Sequence, residues 1–347
     1  MAADAAAAAA NEARLEAVVT AARQIADEVL APNADEVAAS PLVPRERLDV
    51  LAAAGFYGLA GPPSAGGLGV DQETLFRAIE ELSSGCLTTA FVLGQHHGAL
   101  RAVEGGPPAL RDRLLAPLCA GAVRAGIAYA GLRRPGPPPL HARRVASGWL
   151  LEGRADWVSG FGRVDVLLVG ARSEGGDVLW CLVEASAGAH LAAKPLELGA
   201  MGASGTVSLC FSGLLVEPEA VIGIEEDAQW RRRDAASLRA NGSYALGLGR
   251  RCLLALGETE PGADHPALAA ARARLDRAAP DAMAAARAEA ALLAHRLAAR
   301  LAARTGGRAV LRGDPAERLV REAGFLLVFG QTAAIKGELL QRLSPES

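Results

Sequence analysis

The hydrophobic period of this chain changes twice, and that double switch restricts its fold more than any other feature. Up to about residue 123 the apolar residues recur at helical spacing, and from about 230 they do so again. Between them lie "AGIAYA", "GWLLEGRADWV", "VDVLLVGA", "VLWCLVE" and "TVSLCFSGLLVE", short β-rich runs broken by Gly, Ser, Asp and Pro. Strands do not alternate with helices, and no G-x-G-x-x-G follows a strand, which argues against a nucleotide-binding parallel sheet. The order predicts an α+β fold, mainly α, in three parts. They are an N-terminal helical domain over 1–123, a central antiparallel β domain over 124–226 and a C-terminal helical bundle over 227–347.

Local signals sharpen this outline. "PRERLDVLAAAGF" opens near Pro44 and stops at Gly55, and "DQETLFRAIEELSS" opens at a capping Asp71. The rigid, glycine-rich "GPPSAGGLG" joins them. "LTTAFVLGQHHGALRAV" is apolar nearly all round and should be buried. "RRPGPPPLHARR" reads as irregular, because consecutive prolines supply no sheet donors. "AASLRANGSYALGLGRRCLLAL" reads as one helix despite Gly242, Gly247 and Gly249, each costing about 1 kcal/mol against alanine. Either a neighbouring helix or a ligand comes close there. "GETEPGADHP" is a linker. The arginines of "AMAAARAEAALLAHRLAARLAAR" form a solvated face or a basic docking surface. After "LVREAGFLLVFG" a tail is expected from Gln331.

Composition narrows the function classes. A net charge of −3 gives no general case for nucleic acid. Cys86, Cys119, Cys181, Cys210 and Cys252 are odd in number and never spaced C-x-x-C, which favours reduced thiols over disulfides or a metal. The N-terminus lacks the basic and apolar regions of a signal peptide, and no apolar run reaches the roughly 20 residues of a membrane span. A soluble cytoplasmic protein is expected.

Two groups of residues invite chemistry. In "EGRADWVSGFGRVDVLLVG", Trp157 is either a core residue or a platform for something flat. In "GQHHG", His96 and His97 point about 100° apart on a helix, so at most one faces a pocket. A buried histidine bonded to a backbone carbonyl is the plainer reading, and metal binding is poorly supported.

Four segments in order resemble the acyl-CoA dehydrogenase family of flavoproteins. "PPSAGGLGVDQETLFRAIEELS" is similar to its "PEEYGGLG" loop and following helix, and "GWLLEGRADWVSG" to "GYVLNGRKTWITN". "MGASGTVSLCFSGLLVEPEAVIG" resembles "MGWRASDTAELVFDDVRVPAENLLG", and "TGGRAVLRGDPAERLVREAGFLLVFGQT" lies without a gap on "HGGYGYTREYPVERYYRDAKITQIYEGT". The resemblance implies FAD, with FMN the lesser alternative, set between the β unit and the C-terminal bundle of a homodimer or homotetramer. It implies that Trp157, Val158 and Ser159 lie against the isoalloxazine, that Gly306 and Gly307 approach the diphosphate, and that Thr332 touches the cofactor.

The chain also departs from the family. Gly330 stands where the resemblance places the catalytic glutamate, and "ANGSY" (240–244) offers no carboxylate at the alternative location. The family's "TEPGAGSD" is represented by "RRPGPPPLHARR", its R-x-x-F-G segment is missing, and Ala303 replaces the glutamine before H-G-G. The expected function is therefore an acyl-CoA-dehydrogenase-like flavin oxidoreductase acting on a small molecule, an acyl-CoA among the candidates, with α,β-desaturation doubtful because the base is missing. Two alternatives stay open: a flavin monooxygenase, for which His96 is the candidate residue, and a non-catalytic subunit of a heteromer with an active relative.

Overall fold

The computed structural model describes residues 2–134, 136, 139–260 and 263–344. Its first helices are α1 (Ala2–Ile25), α2 (Ala34–Ala39), α3 (Arg45–Ala53), α4 (Gln72–Gly85), α5 (Leu87–Glu104) and α6 (Pro108–Cys119). The strands follow: β1 (Ala125–Ala128), β2 (Leu140–Val145), β3 (Gly148–Val158), β4 (Val166–Ser173), β5 (Val178–Glu184), β6 (Leu191–Pro195), β7 (Val207–Val216) and β8 (Val221–Glu225). Helices then return as α7 (Asp227–Leu256), α8 (Pro266–Arg277), α9 (Met283–Thr305), α10 (Pro315–Val328) and α11 (Ala333–Leu343). The chain forms two compact units. One takes residues 39–69 and 91–237, the other 1–38, 70–90 and 238–347.

The first unit holds the sheet, ordered β6-β7-β3-β2-β4-β5-β8 with β1 also pairing β4. It is mixed, whereas the sequence suggested an antiparallel unit: β4 runs parallel to both β1 and β2. The β2–β3 hairpin intervenes between β1 and β4, so β4 arrives in the same direction as β1. Three strands escaped the sequence reading. β6 and β8 are sheet ends with largely exposed patterns, and β2 buries few of its residues. Part of "RRPGPPPLHARR" is thus strand β2; Pro135, Pro137 and Pro138 lie outside the described residues. Trp149, Leu151, Leu167, Val169, Leu209 and Phe211 form the core of the sheet.

The second unit is helical. Asp71 caps α4 by accepting from the Thr74 amide at 2.8 Å, as its position before an apolar periodic run suggests. The glycines of α7 are explained by close packing. A Cβ on Gly247 would collide with the Glu80 carbonyl, and one on Gly242 would lie 2.6 Å from Leu275. Two buried arginines are paired: Arg250 bonds Asp27 at 3.0 Å, and Arg318 bonds Asp35 at 2.7 Å. The expected tail is instead α11, with Thr332 accepting from the Ile335 amide at its start.

Candidate functional site

In the sheet unit, Trp157 occupies a break in regular pairing. β3 and β7 shift register between Ala155 and Val158. Trp157 takes φ of +64°, one of two non-glycine residues with positive φ among the described residues. For a bulky side chain this left-handed conformation is an outlier costing about 1–3 kcal/mol. The break turns the indole outward, where it is 53% exposed, while Trp149, Trp180 and Trp230 are buried. An indole bound only for the core would not be held this way.

The residues after Trp157 brace it. Val158 is fully buried and pairs with Val207. Ser159 Oγ lies 2.7 Å from Thr206 Oγ1, which lies 2.7 Å from Ser204 Oγ. The Gly160 amide donates to the Ser204 carbonyl at 2.7 Å, and the Phe161 amide to Gly205 at 3.1 Å. Ser159 is buried, so its hydroxyl fixes the turn beneath the indole. Ser204 and Thr206 were not singled out from the sequence; their signal was the run of small and hydroxyl residues in "GASGTVS".

Gly306, Gly307, Gly330 and Thr332 belong to the helical unit. Gly306 ends α9 with φ of +69°, and a Cβ on either Gly306 or Gly307 would meet nothing within 4 Å. Their backbone is therefore open to an approaching group. Gly330 is half-buried and meets one neighbouring side chain. Its φ is +59°, and a Cβ there would lie 2.7 Å from Asn241 Nδ2. Tyr244 packs edge-on against Phe329 at 5.8 Å, and Phe329 stacks on Phe325 at 5.3 Å. The carboxylates nearest in sequence are committed elsewhere. Glu338 bonds Arg342, and Asp234, in the sheet unit, receives two bonds from Arg133 at 2.8 and 2.6 Å.

His96 lies in the core of the sheet unit, 1% exposed. Its Nδ1 accepts from the Ala125 amide at 3.0 Å. Tyr57 packs edge-on against the ring at 4.8 Å. Burial pushes its pKa down to about 3, so the ring is neutral near neutral pH. His97 is also buried and held well below the ordinary histidine value by burial. No helix among the described residues is long and apolar enough to cross a membrane.

Residues 12–122 match the family model of the acyl-CoA dehydrogenase N-terminal domain. No curated protein sequence matches the chain. Three solved structures are similar over almost the full length. Butyryl-CoA dehydrogenase from Megasphaera elsdenii has a TM-score of 0.79 at 19% identity, covering 94% of this chain and 96% of its own. Glutaryl-coenzyme A dehydrogenase in its glutaryl-CoA complex has 0.81 at 20% identity, covering 95% of each chain. The FAD complex of PigA has 0.80 at 17% identity, covering 96% of this chain and 98% of its own. Residues 12–122 thus match the acyl-CoA dehydrogenase N-terminal domain, and the chain as a whole shares the fold of these solved structures.

Proposed function

We propose that this chain is a flavin-dependent oxidoreductase of the acyl-CoA dehydrogenase type that has lost α,β-desaturation. The observation that carries the reading is Trp157, exposed and left-handed at the end of β3. A flat ring stacked on that indole would recover burial that the isolated chain forgoes. Val158 and the Ser159–Thr206 pair hold the indole in place from below. FAD is the cofactor named by this reading, because PigA binds it on a similar fold. Gly306 and Gly307 have the open backbone an anionic group needs, and this reading takes Thr332 as a further cofactor contact. A bound flavin would supply hydride acceptance or, once reduced, reaction with oxygen.

Desaturation of a thioester also needs a carboxylate to take the proton beside the carbonyl, a step worth roughly 10² to 10⁴-fold. Gly330 supplies none, and Asn241 fills the space beside it. That same closure favours the second reading, a monooxygenase or a subunit completing a heteromer with an active relative. The substrate is a small molecule, an acyl-CoA among the candidates, and the protein is a cytoplasmic homodimer or homotetramer in the leading reading.

The absorption spectrum of the purified protein with added FAD, followed by an acyl-CoA, tests the proposal. A bound flavin that acyl-CoA leaves unbleached is expected. Failure to bind any flavin overturns the cofactor, and bleaching overturns the loss of desaturation. Oxygen-dependent product from reduced flavin would point to the monooxygenase. Stable co-purification with an active relative, and inactivity alone, would point to the subunit.

A further inference from the structure

Beside the indole lies a charged group that stacking alone does not use. Asp156, the preceding residue, is pinned from several sides. Ser208 Oγ donates to its Oδ1 at 2.6 Å, Arg154 Nε lies 3.0 Å from the same oxygen, and Arg134 Nη1 donates to Oδ2 at 3.3 Å. The Asp156 side chain is only 16% exposed, while those of Arg154 and Arg134 are 59% and 45% exposed. Neither arginine has a second carboxylate partner among the described residues. One anchored carboxylate thus holds two guanidinium groups with most of their donors turned to solvent. Lys194, also exposed, sits opposite Ser208 in the β6–β7 register and adds a third cation.

Surface arginines beside a single carboxylate usually form a solvated patch of little energetic weight. Here their shared carboxylate directly precedes an aromatic side chain held outward against its backbone preference. Arg154 is three residues before Trp157, so their Cα atoms are at most about 11 Å apart. Guanidinium groups match phosphate oxygens bidentately. A flat ring joined to a phosphate by a short flexible chain would meet both features at once.

We propose that Arg154 and Arg134, braced on Asp156, take the phosphate of the flavin nucleotide whose ring lies on Trp157. The inference rests on the flavin reading above and adds the residues that select a phosphorylated flavin over the bare ring compound. Asp156 is a positioning residue in this arrangement: it steers the two guanidinium groups and has no contact with the ligand.

Cys210 provides a reporter independent of turnover. It is the one exposed cysteine of the five, and it pairs with Arg154 in the β3–β7 register, so both side chains stand on the same open face. The experiment titrates the full chain with FMN, FAD and riboflavin by flavin fluorescence, and in parallel measures the rate of Cys210 alkylation. FMN and FAD should bind at least about tenfold tighter than riboflavin, and added salt should erode the difference. Both nucleotides should slow alkylation of Cys210 more than riboflavin does. In the Arg134→Ala/Arg154→Ala variant FMN and riboflavin should bind alike, with riboflavin affinity unchanged; the Arg→Lys pair should keep part of the preference. Two results overturn the proposal while leaving the flavin reading intact: riboflavin binding as tightly as FMN to the parent, or a double-alanine variant that retains the preference for FMN over riboflavin. If no flavin binds the unmodified chain, the flavin reading fails and this inference fails with it.

Discussion

The end of β3 and the turn at Gly330 resemble the same family in sequence, yet the structure treats them in opposite ways. At Trp157 the chain keeps a bulky side chain in a left-handed conformation and leaves it exposed. At Gly330 the left-handed residue is glycine, which takes that conformation freely, and the Asn241 amide occupies the place where a Cβ would stand. His96 resembles the second place: it is sealed, neutral and bonded to a backbone amide. Strain and exposure survive only where something external could compensate them. On the proposed function, the contrast separates ring binding from proton abstraction and leaves the chain only the first.

The comparison breaks most visibly if His96 is poised to titrate near neutrality. Unfolded, it takes up a proton near the ordinary value of 6.5; folded, it stays neutral down to about 3. Between those values the unfolded state binds more protons. This contribution to stability is therefore full above about 6.5 and falls as pH drops through the window. Urea unfolding should show a loss of roughly 3 kcal/mol from His96 between about pH 7 and pH 4. His96→Gln, which keeps an acceptor for the Ala125 amide, should flatten that slope. An unchanged slope would mean that the histidine is accessible and belongs with Trp157.

A smaller effect tests the closed turn. Gly330→Glu restores the missing carboxylate type but places a side chain at φ of +59° and against Asn241. The expected result is a stability loss of about 2–3 kcal/mol by denaturant unfolding, with no flavin bleaching by acyl-CoA. A variant that is as stable as the parent and turns over a thioester would show that the turn had only lost its base, with the cavity still open.

How far the sequence foretold these places follows from the physics of each. The helix–sheet–helix order was readable because periods of about 3.6 and 2 are written into every element that buries one face. Strands β6 and β8 were not, since edge strands bury too little to alternate. Helix α11 was missed because a short, half-exposed helix leaves a weak apolar repeat. At the site, "ADWVSG" identified Trp157 as unusual, but no local pattern could reveal its positive φ. That depends on the shifted pairing with β7, a partner some fifty residues away. The packing of Asn241 against Gly330 was hidden for the same reason.

The finest test of the contrast is at Trp157 itself. If the indole is held outward at a conformational cost, glycine should relieve it. The left-handed backbone costs a non-glycine residue about 1–3 kcal/mol, and glycine loses about 0.5–1 kcal/mol in added chain entropy. About half of the indole is covered, so removing it also forfeits roughly 2–3 kcal/mol of burial. Trp157→Gly should therefore be about 1 kcal/mol more stable in denaturant unfolding than Trp157→Ala, which forfeits the same burial and stays strained at this φ. Both variants should weaken flavin retention. A Trp157→Gly variant no more stable than Trp157→Ala, with flavin content unaltered in both, would make the indole an ordinary packing residue and remove the difference between the two places.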